Sequence, residues 1–153
     1  MSSTYVAALA LLARRELSEA QLRQRLLRKG HQPEEVEEAI VRLREERAVD
    51  DRRVAEAIAR TAVTVKRRGR LRVEREIQRA GIAPEIARHA LDGVFETLSD
   101  DELLESALAR RLRGRTISDQ REFSRLYRYL LGQGFESDRI VAALNRHRTG
   151  AAQ

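Results

Sequence analysis

Three glycines constrain the architecture of this chain more than any other feature. Gly30, Gly81 and Gly134 stand 51 and 53 residues apart, and the residues around them recur in the same register. Eight and four residues before them are Leu22/Leu26, Val73/Ile77 and Leu126/Leu130. Nine and ten residues after them are Ala39/Ile40, Ala90/Leu91 and Ala143/Leu144, and the third residue after each is Pro33, Pro84 or Ser137. A four-residue spacing puts both apolar side chains on one face of a helix. Glycine then supplies the turn beyond the helix end, and proline suits the first turn of the next helix. Repetition at this period signals one supersecondary unit copied in tandem.

Each unit also opens with a helix of its own. Leu9, Leu12 and neighbouring alanines define the first, and Ser18 with Gln21 forms a capping box after it, with Leu17 and Leu22 as its hydrophobic staple. Asp51 is expected to cap the helix carrying Val54, Ile58 and Ala62. Ser99 to Glu102 is a capping box for Leu103, Leu104, Ala107 and Leu108, stapled by Leu98 and Leu103. Two prolines, eight glycines, no tryptophan and abundant Ala, Leu, Arg and Glu favour helix, and no stretch alternates as a strand does. The expectation is an all-α chain of nine helices in three tandem three-helix repeats, over residues 2–49, 50–98 and 99–148, followed by a short frayed tail at 149–153.

The residue inventory argues against catalysis. The absence of cysteine removes disulfides, thiolate metal sites and cysteine nucleophiles, and fits a reducing compartment, so the cytoplasm is expected. The longest apolar run, Tyr5 to Ala13, is too short to cross a membrane and lacks the basic segment that precedes a secretory signal core. It reads as a core helix. His31 fits a partly covered helix end, His89 and His147 show no ligand spacing, and Asp50-Asp51 and Asp100-Asp101 stand where helices begin, as caps do. No phosphate-binding glycine loop and no serine elbow are present. No enzyme activity, cofactor or metal is expected.

Charge points instead to an anionic partner. Thirty basic and 24 acidic residues give +6, and the densest run is Val65–Gly81, with Lys66, Arg67, Arg68, Arg70, Arg72, Arg75 and Arg79 against Glu74 and Glu76. Arg25, Arg28 and Lys29 in the first unit and Arg113, Arg115 and Arg128 in the third extend the candidate set. Arg68-Gly69-Arg70 and Arg113-Gly114-Arg115 each join the first and second helices of a unit, where flexible, phosphate-sized contacts can recur. Arg110 and Arg111 are explained at least as well by a helix C-terminus, whose macrodipole they offset. Major-groove reading is disfavoured, because the helix that would enter the groove starts with Pro33-Glu34-Glu35-Val36-Glu37-Glu38. Tyr127 and Tyr129 offer a little stacking, while Phe135 fits the core better. Nucleic-acid binding is thus expected to be weak and tolerant of sequence.

The same residues resemble a family, the RecX regulatory proteins of bacterial homologous recombination. Leu11-Leu12, Arg14-Arg15-Glu16, Ser18, Leu22, Leu26 and Gly30 are similar to that family's opening pattern. Asp50-Asp51 with Ala55-Glu56-Ala57 resembles the start of its middle repeat, and Arg128-Tyr129-Leu130 with Gly134-Phe135 resembles its last. Where the family often has Gly-aromatic-Gly-Pro, this chain has Arg67-Arg68-Gly69-Arg70. The resemblance implies an elongated, curved helical protein, expected to act as a monomer. It implies binding to RecA and its single-strand DNA filaments, restraining ATPase and strand exchange, with consequences for DNA repair and the SOS response. The alternatives are a non-specific helical DNA-binding protein and a protein-interaction scaffold, neither with a recombinase partner.

Overall fold

The computed structural model describes residues 2–150. Among them are nine helices and no strand: α1 (Ser3–Arg14), α2 (Glu19–Arg28), α3 (Pro33–Glu45), α4 (Asp51–Thr64), α5 (Arg70–Arg79), α6 (Pro84–Val94), α7 (Asp100–Leu112), α8 (Gln120–Gly132) and α9 (Ser137–Arg146). The helices pack chiefly within successive triads, α1–α3, α4–α6 and α7–α9. The chain exposes 9558 Å², where a compact monomer of its mass exposes about 7,900 Å². That excess is the signature of units laid side by side along an array.

The apolar pairs that define the repeat are all buried: Leu22/Leu26, Val73/Ile77 and Leu126/Leu130 before the glycines, Ala39/Ile40, Ala90/Leu91 and Ala143/Leu144 after them. The first triad has its own core, whereas α4 to α9 share one continuous core. In α1 the buried residues are Thr4, Tyr5 and Ala8; of the expected pair Leu12 is partly buried against the first core, while Leu9 is exposed. A helix apolar on nearly every side carries no periodic mark of its inner face. Thr4 is tolerated inside because its hydroxyl bonds His31 Nδ1 at 2.9 Å and Glu35 at 3.2 Å.

Successive units join by one construction used twice. Ser18 and Gly69 are the N-caps of α2 and α5. The Ser18 hydroxyl donates to the Ala80 carbonyl, and the Gly69 N–H donates to the Gln133 carbonyl at 2.8 Å. In both cases the residue before a repeat glycine reaches back to the start of the preceding unit's second helix. The first residue of each following unit's first helix completes the joint: Asp51 accepts the Glu19 N–H at 2.8 Å and Asp100 accepts the Arg70 N–H at 3.3 Å. Asp50, not Asp51, therefore caps α4, through the Arg53 N–H at 3.2 Å. Asp51 is committed to the neighbouring helix, satisfying an orphan N–H at its positive end. Thr149 is not frayed, because its N–H and hydroxyl both bond the Ile117 carbonyl; residues 151–153 of the expected tail lie outside the described residues.

Both clamp carboxyls are half-buried, and burial pushes each above the usual aspartate range. A raised folded-state pKa means the folded protein holds that proton more tightly than the unfolded chain. Its stabilising contribution is complete below the unfolded pKa and is lost as pH rises through the folded one. At neutral pH the charge is thus a cost set against a good hydrogen bond. Asp51→Asn, which keeps the acceptor and drops the charge, is expected to leave stability at pH 7 unchanged or higher, with that advantage vanishing in acid. Asp51→Ala is expected to lose about 1 kcal/mol. Urea unfolding of the two variants at pH 7 and in acid checks both.

Candidate nucleic-acid interface

The dense basic run divides once it is folded, and three of its seven cations are spent internally. The Arg68 guanidinium is paired with Glu76, each side chain only 19% exposed. Arg70 pairs with Asp92 and lies 5.6 Å over the Phe95 ring. Arg72 holds Glu76 at 3.5 Å and donates to the Gly132 carbonyl at 3.1 Å. Gly69 between them is not a flexible joint: it is buried, and a Cβ there would lie 2.6 Å from the Gly134 oxygen. Arg68 and Arg70 are paired within the second unit, Arg72 reaches the third through the Gly132 carbonyl, and the charge of all three already has partners.

Lys66 and Arg67, in the connection from α4 to α5, turn instead toward the third unit. With Arg110 and Arg111 at the end of α7, Arg113 and Arg115 beyond it, Ala107 and Tyr129, they line a cleft of 530 Å³. Among the described residues neither Lys66, Arg67, Arg110, Arg111 nor Arg113 has a carboxylate within salt-bridge distance, and Arg115 reaches Glu122 only at 3.6 Å. Six cations facing one space with so little acid repel one another, and an anion entering it relieves that repulsion. Arg111 stacks 3.7 Å above the Tyr129 ring, so this aromatic carries a cation and does not present a free platform on that face.

Backbone geometry marks two of these cations. Arg67 and Arg113 both have φ of 50°, a left-handed conformation that costs a residue with a Cβ of order 1 kcal/mol. Glycine would hold either turn more easily, and arginine stands in both. The loop carrying Arg113 and Arg115 is also pinned: Ile117 is buried and pairs with the segment after α9, its N–H donating to the His147 carbonyl at 2.8 Å and its carbonyl accepting the Thr149 N–H at 3.0 Å. The cations are presented by fixed backbone.

The remaining candidates lie elsewhere. Arg75 and Arg79 line a smaller hollow of 160 Å³ with Arg72, Glu76 and Gly132. Arg25, Arg28 and Lys29 are exposed toward the end of α2, and Arg128 is exposed on α8; none of the four lines the cleft. Phe135 is buried, and the Tyr127 hydroxyl is 2.8 Å from Ser137 Oγ. Arg110 and Arg111, which a helix C-terminus alone accounts for in sequence, prove to be cleft residues. Only the convergence of two loops across the unit boundary singles them out.

Residues 5–43 match the first three-helix domain of RecX and residues 50–91 match its second. The chain belongs to the RecX family. A regulatory protein RecX of Halorhodospira halophila is 37% identical over 143 residues, covering 90% of this chain and 83% of that one. That of Syntrophotalea carbinolica is 34% identical, covering 89% and 90%. The crystal structure of RecX from Lactobacillus salivarius superposes with a TM-score of 0.73 at 20% identity, over 94% of this chain and 93% of that one. A second RecX crystal structure gives 0.76 at 22% identity, over 92% and 69%. These solved structures share the RecX fold described above. No helix among the described residues is long and apolar enough to cross a membrane.

Proposed function

We propose that this RecX protein is a non-enzymatic cytoplasmic regulator that binds RecA and RecA–DNA filaments as a monomer and restrains their ATPase and strand exchange. The observation that carries the nucleic-acid side of this reading is the cleft: six cations drawn from two units around one 530 Å³ space. Guanidinium groups on fixed loops suit phosphates in a single strand's backbone. The recombinase side rests on family membership, since the relatives carry the name regulatory protein. Binding through phosphates predicts sequence tolerance and a steep dependence on salt.

The test is the single-strand-dependent ATPase of the cognate RecA, followed as this protein is titrated in. Inhibition at substoichiometric protein is the expected result. Unchanged ATPase under conditions where the protein still binds the single strand would replace this reading with that of a non-specific DNA-binding protein.

A further inference from the structure

Leu71 near the start of α5 and Leu131 near the end of α8 are each 44% exposed. They line one groove of 440 Å³ with Glu74, Arg75, Gln78 and Phe135. Arg75 also lines the adjoining hollow that holds Arg79, and neither arginine has a carboxylate within salt-bridge distance among the described residues. None of these residues belongs to the basic cleft.

The repeat itself shows that the joint does not require these leucines. Counted from the helix caps Ser18 and Gly69, the residue matching Leu71 is Ala20; counted back from Gly81 and Gly134, the residue matching Leu131 is Gln78. The first joint is therefore built with a small residue and a polar one where the second has two leucines. Both joints nonetheless keep the carbonyl contact from the glycine turn and the aspartate clamp. Two leucines exposed along one groove, and not needed by the joint, leave apolar surface that a partner can cover.

We propose that this groove docks an acid-flanked apolar segment of a protein partner, which on the function proposed above is the recombinase subunit; the partner's identity rests on that reading. The apolar side chains of the segment would cover Leu71 and Leu131 over the buried Phe135, and its carboxylates would meet Arg75 and Arg79. Glu74 is the one acid lining the groove, and Glu76 in the adjoining hollow is already held by Arg68 and Arg72, which leaves Arg75 and Arg79 for the partner's carboxylates. A nucleic-acid backbone would satisfy the arginines and leave the leucines uncovered.

The test measures two affinities for the full chain, one for DNA-free cognate recombinase and one for a thymidine oligonucleotide. Leu71→Ser with Leu131→Ser is expected to weaken recombinase binding by about tenfold or more while oligonucleotide affinity stays unchanged. Arg75→Glu with Arg79→Glu should weaken recombinase binding as well. Thermal melts, together with the two single serine variants, separate docking from folding. Undiminished recombinase binding by the serine variant overturns the groove while leaving the proposed function in place. Equal loss of both affinities overturns it in favour of a strand-tracking surface, and unchanged or tighter binding by the glutamate variant overturns the acidic partner. If the unaltered protein binds no recombinase, the proposed function fails first and the recombinase assignment with it.

Discussion

Gly134→Ala is expected to cost about 3–5 kcal/mol, much of the stability of a domain this size. Two penalties combine. Gly134 has φ of 98°, where a Cβ meets its own carbonyl, and the added Cβ would sit inside 3.0 Å of Arg72, including 2.9 Å from its Cα. The obstacle is the backbone of α5, which cannot rotate away as a side chain end can. Gly30 supplies the contrast. Its φ is 94°, yet nothing among the described residues lies within 4 Å of its missing Cβ, whereas Gly81 meets Ala20 and Gly134 meets Arg72. Gly30→Ala should therefore cost only the conformational part, about 1–2 kcal/mol. Gly69→Ala reverses the case, with an ordinary φ of −77° and a clash with the Gly134 oxygen. Urea unfolding should rank the losses with Gly134 well above Gly30. Equal losses would mean that the glycines serve only their own turns and that the joints are loose.

That contrast shows what the sequence can and cannot disclose. The register of the glycines, the paired apolar positions and the caps at Ser18 and Ser99 are local signals, each deciding the conformation of its own few residues, and they place the helices correctly. Why two of the glycines must also be small is a fact about the neighbouring unit. Asp51 illustrates the same boundary, since its position invites a cap for its own helix while its carboxylate serves α2, 32 residues away. In α1 the helix is legible and its inner face is not, because the sequence carries apolar residues on too many sides to choose one.

Charge is legible in bulk and illegible in detail. The run from Lys66 to Arg79 holds the densest cationic charge, but density along the chain does not reveal which guanidinium groups are already satisfied. Arg68 meets Glu76 two turns on, Arg70 meets Asp92 from α6, and Arg72 meets the Gly132 carbonyl 60 residues away. Among the cations that remain without carboxylates, Lys66 and Arg67 meet Arg110, Arg111 and Arg113 at the unit boundary. They come together because Lys66 and Arg67 end one first-helix connection and Arg110 to Arg115 form the next.

Changing Lys66, Arg67, Arg110 and Arg113 together to Gln is accordingly expected to weaken single-strand binding on the order of a hundredfold at ~0.1 M salt. Each lost phosphate contact removes about 0.7 from the slope of log affinity against log salt, so that slope should fall by about 3. None of the four makes an ion pair among the described residues, so unfolding should shift by no more than about 0.5 kcal/mol per site. The matched control is Arg60, Arg88, Arg121 and Arg125 to Gln, exposed cations that also make no ion pair there and do not line the cleft. Equal losses from the two sets would show that net charge alone governs binding. Arg67→Gly with Arg113→Gly adds a sharper test: relief of two left-handed turns should hold or raise stability while affinity falls. Arg68→Gln should do the reverse, lowering stability by leaving Glu76 with one weaker partner and sparing affinity. If affinity follows stability through all three variants, the cleft is a structural seam. If the two separate as stated, the strained arginines are kept for the anion they meet.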